Sequence, residues 1–145
     1  MKSSVNLKQN YPYTPEELWV ALTDVRALSE WLMKTSDFRP QAGYRFQFRS
    51  KPTKYWRGIV DCEVLDVQPN RLLSYSWQGD EGGTVTVVTW RLEPIPSGTC
   101  LTLAHTGFEG ISGLLLGKLI LGPGWKKMMK RKIPMVLQSI DKYAK

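Results

Sequence analysis

The sequence predicts an α+β fold: a curved antiparallel sheet of six or seven strands wrapped around a long C-terminal helix, with two short helices after the first strand. Three observations carry that expectation. From Tyr44 to Thr106 the chain is a succession of alternating or β-branched runs separated by short turn-forming clusters, and short connections between successive strands make an antiparallel meander. From Trp125 to Tyr143 the apolar period lengthens to that of a helix, placing Trp125, Met129, Ile133, Val136, Leu137, Ile140 and Tyr143 in one stripe. A sheet rich in inward-facing rings needs a cover, and that stripe can supply it.

Each element has a local reason. Val5 to Tyr11 alternates and opens the sheet. Thr14 is placed to cap a helix, with Pro15 at the first helical position and Glu16 and Glu17 in the first turn; all suit the unpaired amides and positive end of a helix N-terminus. A second short helix spans about Val25 to Leu32, with Leu28, Trp31 and Leu32 inward. Tyr44 to Arg49 alternates aromatic and polar residues, the pattern of a half-buried strand. Gly58 to Val67 is a longer strand stopped by Gln68-Pro69-Asn70, and Leu72 to Trp77 returns. Thr84 to Glu93 and Thr99 to Thr106 complete the meander across a turn at Pro94-Ile95-Pro96-Ser97-Gly98. Pro134 interrupts the terminal helix, where its missing N–H and its ring predict a kink.

At 145 residues the chain reads as a single domain, 1–145. Its formal charge of +7 is read either as a solvated basic face or as favouring anionic surfaces, which leaves an acidic protein partner or an anionic membrane surface as an open partner class; no specific nucleic acid is expected. Cys62 and Cys100 are expected to be reduced core residues, since the opening MKSSVNLKQN lacks an apolar signal region. A cytoplasmic location is the corresponding expectation. The apolar stretch from Ile111 to Leu121 is too short to span a bilayer; the cluster Lys126-Lys127-Met128-Met129-Lys130-Arg131-Lys132 is read as a solvated helix face, as a phosphate-binding patch, or, beside that stretch, as a membrane-surface element. The spacing of Gly113 and Gly117 is a weak helix-packing signal.

The candidate site is the space between sheet and terminal helix. Alternation puts Tyr44, Phe46, Phe48, Leu73, Tyr75, Trp77, Trp90, Leu92, Leu101, Leu103 and His105 on one face, with Trp31 and Met129 brought to it by the helices. A solid core and a ligand-lined wall are both open for these residues. His105, the sole histidine, is read either as a satisfied core residue or as a ligand contact. At about 100° per residue, Lys132 falls beside Trp125 on the helix, where it either snorkels to solvent or meets an anionic head group. One histidine and two separated cysteines give no metal spacing, and no phosphate loop, dinucleotide fingerprint or nucleophile elbow occurs. No catalytic residue and no cofactor is assigned, and catalysis is not expected.

The run Tyr13-Thr14-Pro15-Glu16-Glu17-Leu18-Trp19-Val20-Ala21-Leu22-Thr23, followed by Trp31, Gly43-Tyr44-Arg45-Phe46 and Gly58-Ile59-Val60, resembles the START-like, or SRPBCC, superfamily with its helix-grip fold. Pro69-Asn70-Arg71-Leu72-Leu73-Ser74-Tyr75-Ser76-Trp77, the segment Gly98 to Phe108 and Gly124-Trp125 extend the resemblance over nearly the whole chain. It is greatest to the branch homologous to the activator of the 90-kDa heat-shock protein ATPase. The stretch Ile111 to Leu121 departs from the pattern in being more apolar. The resemblance implies the fold and a choice of functions. First is a module holding a hydrophobic or amphipathic small molecule in the cavity between sheet and helix. A co-chaperone-like interaction protein is second, and an enzyme of the polyketide cyclase or dehydrase kind third.

Overall fold

The computed structural model describes residues 2–143. Seven strands, β1 (Lys2–Tyr11), β2 (Lys34–Thr35), β3 (Arg45–Arg49), β4 (Ile59–Gln68), β5 (Leu72–Trp77), β6 (Thr86–Ile95) and β7 (Gly98–Glu109), form one sheet in the order β1-β7-β6-β5-β4-β3-β2. Every pairing is antiparallel. The meander expected from turn spacing is therefore present, closed on one side by β1 returning to lie along β7. Strand β2, only two residues long, was not legible in the sequence. Pro94 departs from expectation: it lies within β6, opposite Thr99, and the turn is confined to Pro96 and Ser97 between Ile95 and Gly98. Gly98 permits this tight return, since a Cβ there would sit 2.0 Å from the carbonyl oxygen of Tyr11.

Helices α1 (Pro15–Thr23) and α2 (Val25–Trp31) follow β1. Thr14 and Glu17 form a reciprocal capping box at the start of α1, and the Asp24 carboxylate accepts from the amides of Arg26 and Ala27 to start α2. These caps let two very short helices hold Leu18, Leu22, Leu28 and Trp31 in the core; helices of this length are marginal without tertiary packing.

The terminal helix is longer than its periodicity indicated. It begins at Gly110 and runs without interruption through residues 110–137, the stretch Ile111 to Leu121 included. Two π turns, Leu116–Leu121 and Met128–Lys132, divide its α-helical parts. It stops before Ser139, and Tyr143 follows a 3₁₀ turn, Ile140–Lys142, rather than lying in the helix. Pro134 does not end the helix. The amide of Ile133 bonds the carbonyl of Met128, five residues back. In that register the next donor, to Met129, would be Pro134, which has no N–H. The carbonyl of Met129 receives instead the Tyr11 hydroxyl, at 2.5 Å. A buried tyrosine of the first strand thus supplies the bond that the proline withholds.

The second half of this helix covers the ring-bearing face of the sheet. Trp125, Met129, Ile133, Val136 and Leu137 are buried against the core that contains Phe46, Phe48, Tyr75, Trp77 and Trp90. Full burial of each such side chain contributes about 1.5–3 kcal/mol, so this contact is the main attachment of helix to sheet.

Candidate functional site

Most of the candidate wall converges as expected. Trp31, Phe46, Phe48, Tyr75, Trp77, Trp90, Leu103, His105 and Met129 are all buried in one cluster or, for His105, within it. Two candidates fall outside. Tyr44 precedes β3, is only half-buried, and directs its hydroxyl to the Asp37 carboxylate at 2.7 Å. Lys132 is exposed. Its exposure agrees with the solvent-reaching alternative of the two readings that its sequence position allows, and the π turn at Met128–Lys132 departs from the uniform advance of about 100° per residue that places it beside Trp125.

The converging rings pack directly on one another. Phe46 meets Phe48 and Tyr75 edge-on at 5.2 and 5.5 Å between centroids, and Phe48 lies 5.7 Å from Trp77. Trp125 of the helix reaches Trp77 at 5.3 Å and Trp90 at 5.6 Å, while Trp31 closes on Trp90 at 5.8 Å. These are the separations of favourable edge-to-face and tilted aromatic pairs.

Several of the polar tips among the rings find partners within the protein, whereas the buried Tyr143 hydroxyl has none. Trp31 Nε1 donates to the carbonyl of Ala21 at 2.7 Å, and Trp90 Nε1 donates to the Tyr75 hydroxyl at 3.0 Å. At His105 the bonds form a directed chain. Trp125 Nε1 donates to Nδ1 at 3.0 Å; an indole N–H can only donate, so Nδ1 is the unprotonated nitrogen. The imidazole proton therefore sits on Nε2, 2.7 Å from Thr86 Oγ1, and the Thr86 hydroxyl donates in turn to the carbonyl of Trp77 at 3.1 Å. Every member of that chain is used once. Burial pushes the His105 pKa down to about 3, because an imidazolium would be desolvated there. His105 is thus a neutral, satisfied core residue, one of the two readings its sequence position allowed. Burial likewise pushes the Tyr75 hydroxyl and the Cys62 thiol up, into their neutral forms. Cys62 and Cys100 are buried and unbridged.

Two grooves open elsewhere. One of about 810 Å³ lies on the outer face of β3, β4 and β5, lined chiefly by Arg45, Gln47, Asp61, Glu63, Ser76 and Gln78. Its carboxylates are engaged: Arg57 pairs with Asp61 at 2.8 Å and Gln47 Nε2 donates to Asp61 at 2.7 Å, which holds that carboxyl below the usual carboxylate range. The other groove, about 590 Å³, lies between β1 and the first half of the terminal helix. Val5, Leu7, Leu114 and Gly117 line it together with Lys118 and Lys126. Ser3, also in its lining, has a buried hydroxyl with no hydrogen-bond partner, a state that costs stability unless something supplies a bond. Of the candidate residues, Phe46 lines the first groove and none lines the second.

The second groove is close to the rings. A Cβ on Gly117 would stand 3.4 Å from the Phe108 ring and 3.5 Å from a Val5 methyl; one on Gly113 would stand 3.0 Å from the Phe108 backbone. Phe108 in turn lies 4.7 Å from His105. The paired glycines therefore let the helix approach the end of β7, a packing use of that spacing. They leave one phenylalanine between groove and aromatic interior. Sequence reasoning singled out Gly117, Lys118 and Lys126 but could not join them to Ser3, Val5 and Leu7, which come to them only through the β1–β7 pairing.

Among the described residues no cluster of three potential metal ligands occurs, and no helix is long and apolar enough to cross a membrane.

Comparison with known proteins agrees with this architecture. The family described as Activator of Hsp90 ATPase homolog 1-like protein matches residues 12–143. A crystal structure of protein MLL2253 from Mesorhizobium loti is 34% identical, with a TM-score of 0.76, covering 94% of this chain and 98% of that one. DynU16, from the dynemicin biosynthetic locus, is 23% identical with a TM-score of 0.76, over 94% of this chain and 47% of its own. CalU16 from Micromonospora echinospora is 23% identical with a TM-score of 0.66, over 97% of this chain and 85% of its own. At that identity the last two share the fold alone. No curated protein matches the chain.

Proposed function

The chain belongs to the Activator of Hsp90 ATPase homolog 1-like family of the START-like (SRPBCC) superfamily, and from that premise we propose that it is a non-catalytic binding domain for an amphipathic anion, received between the sheet and the C-terminal helix. The observation that carries this reading is the groove between β1 and the helix, which joins an apolar lining of Val5, Leu7 and Leu114 to two lysines and an unpartnered serine hydroxyl. An apolar chain would lie along Val5 and Leu7 and an anionic end would meet Lys118 and Lys126, with Ser3 free to donate a bond. Its volume falls in the usual range of small-molecule sites. Displacing the Phe108 ring would extend the site toward His105, Trp125 and the wall of rings.

Binding without turnover fits the chemistry of the interior. A general base needs a proton affinity near the working pH and reach to a substrate. His105 has neither, since both nitrogens are bonded and its pKa is far below neutrality.

Calorimetric titration with laurate below its micelle concentration tests the proposal, alongside dodecanol as the neutral analogue. Saturable binding of laurate over dodecanol is expected. Lys118→Gln with Lys126→Gln should remove that preference, and Leu114→Trp, which narrows the groove at a partly exposed lining position, should weaken both ligands with the melting temperature unchanged. Ligand recovered by mass spectrometry should be unchanged. Absence of saturable binding, or binding indifferent to Leu114→Trp, overturns the reading.

A further inference from the structure

The first half of the terminal helix leaves an apolar face uncovered. Ile111, Leu119 and Ile120 are 74%, 65% and 63% exposed, and Leu115 and Leu116 are exposed beside them. The face is continuous. Every fourth residue from Ile111 through Leu115, Leu119, Pro123 and Lys127 to Arg131 is exposed, and α turns mixed with wider π turns keep a spacing of four near one side. That row is aliphatic over its first part and cationic over its second, and Lys118 stands exposed within the aliphatic part.

We infer that this row is a docking surface for an anionic lipid membrane, the helix lying in the plane of the interface. Charge selects the occupant. Residues 110–140 carry Lys118, Lys126, Lys127, Lys130, Arg131 and Lys132 and no carboxylate. A second copy of the chain would set these cations against their own kind, whereas a sheet of phosphate head groups neutralises them together. The apolar part is aliphatic throughout, with none of the tryptophan, tyrosine or arginine anchors that dominate protein interfaces. A helix with leucines on one side and flanking lysines buries its apolar side about 5–10 Å into the boundary between head groups and acyl chains. Lys118 can extend its aliphatic stem along the leucines while its ammonium reaches the phosphates. Lys118 and Pro123 border both this surface and the groove beside β1, whereas Leu119, Ile120 and Lys127 lie outside the groove lining, and docking does not require that groove to be filled.

Flotation of the intact chain with vesicles tests the inference, using phosphatidylcholine alone and phosphatidylcholine mixed equally with phosphatidylglycerol. The protein should float with the anionic vesicles, not with the neutral ones, and the bound fraction should fall with added salt. Leu119→Glu with Ile120→Glu should reduce partition by about tenfold or more, and Leu119→Ala with Ile120→Ala by less. Lys127→Gln alone should cost about fivefold. All three positions are exposed, and an unchanged melting temperature confirms that each variant is folded. No flotation with anionic vesicles overturns the inference; so does flotation that the leucine and isoleucine changes leave intact. Capture by an acidic peptide such as polyglutamate without vesicle binding would assign the face to a protein partner instead and equally overturn it. Laurate binding measured on the same variants should be unchanged, which separates failure of this surface from failure of the groove.

Discussion

Between residues 125 and 137 the terminal helix turns Trp125, Met129, Ile133, Val136 and Leu137 onto the sheet, whereas between 111 and 120 it turns Ile111, Leu115, Leu119 and Ile120 away from it. Both segments are rich in large apolar side chains. They differ in what lies beneath. The second half crosses the sheet's inner face, where rings from β3, β5 and β6 interlock with it. The first half runs over the end of β7 and along β1, where Gly113 and Gly117 bring backbone against Phe108 and Val5. A helix that makes its approach through glycines has its bulky residues left for the other side. Apolar content thus fixes neither burial nor function; the residue type at the contact decides which face is left over.

The contrast is broken most severely at Trp125. It packs against Trp77 and Trp90 and donates to His105. Trp125→Ala should destabilise the fold by about 3–5 kcal/mol, the range for large aromatic truncations in cores, as read from the midpoint of urea unfolding. A loss below about 1 kcal/mol would mean that the second half is not anchored by its rings.

His105 extends the same test to pH. Its folded pKa, about 3, lies below the unfolded value of about 6.5. The unfolded state therefore binds the proton first. The contribution of neutral His105 is complete above about pH 6.5 and is lost progressively as pH falls toward about 3. From pH 7 to about pH 4.5 the unfolding free energy should drop by about 2–3 kcal/mol on account of this group. His105→Gln should flatten that part of the profile, and an equal slope in the variant would refute a buried neutral imidazole.

Tyr11 has a smaller effect. Tyr11→Phe deletes the donor to the Met129 carbonyl and leaves that oxygen buried above Pro134, for an expected cost of about 1–3 kcal/mol. The double variant Tyr11→Phe with Pro134→Ala should recover part of it, because an alanine amide can bond the helix again. No recovery would show that the proline and the tyrosine are unrelated.

These residues also mark how far sequence could reach. Alternation from Tyr44 to Thr106 and the period after Trp125 made the sheet and its cover legible, because side-chain direction follows backbone period. Thr14, Pro15 and Glu17 announced the start of α1 for equally local reasons. What local pattern cannot hold is pairing at a distance: the chain from Trp125 through His105 and Thr86 to Trp77 joins one helix to three strands. Nor can it tell whether rings line a space or fill it, which depends on tenths of an ångström across the whole interior. The π turns were invisible because periodicity was read at a single fixed angle. That one assumption placed Lys132 beside Trp125, and the late helix start had a related origin, since exposed leucines carry no buried stripe to detect. Ser3 and Leu7 gave no signal for the groove; only the antiparallel return of β1 along β7 brings them to Lys118 and Lys126.

The smallest expected effect makes the comparison sharpest. Leu119 lies four residues after Leu115 and six before Trp125 on one helix, yet Leu119→Glu should change the unfolding free energy by no more than about 0.5 kcal/mol, as for surface substitutions generally. Leucine exceeds glutamate only slightly in helix propensity, and a carboxylate at this position meets water in both states. A comparable polar change at Ile133, which is fully buried, would place an unpaired charge in the core and prevent folding. If Leu119→Glu instead lost more than about 1.5 kcal/mol, the first half of the helix would have to be covered by something in solution. A self-associated chain would then be detected as concentration-dependent stability. If the loss is negligible and the melting temperature does not depend on protein concentration, the uncovered leucines contribute nothing to the isolated fold, and their cost in exposed apolar surface points outward to whatever they meet.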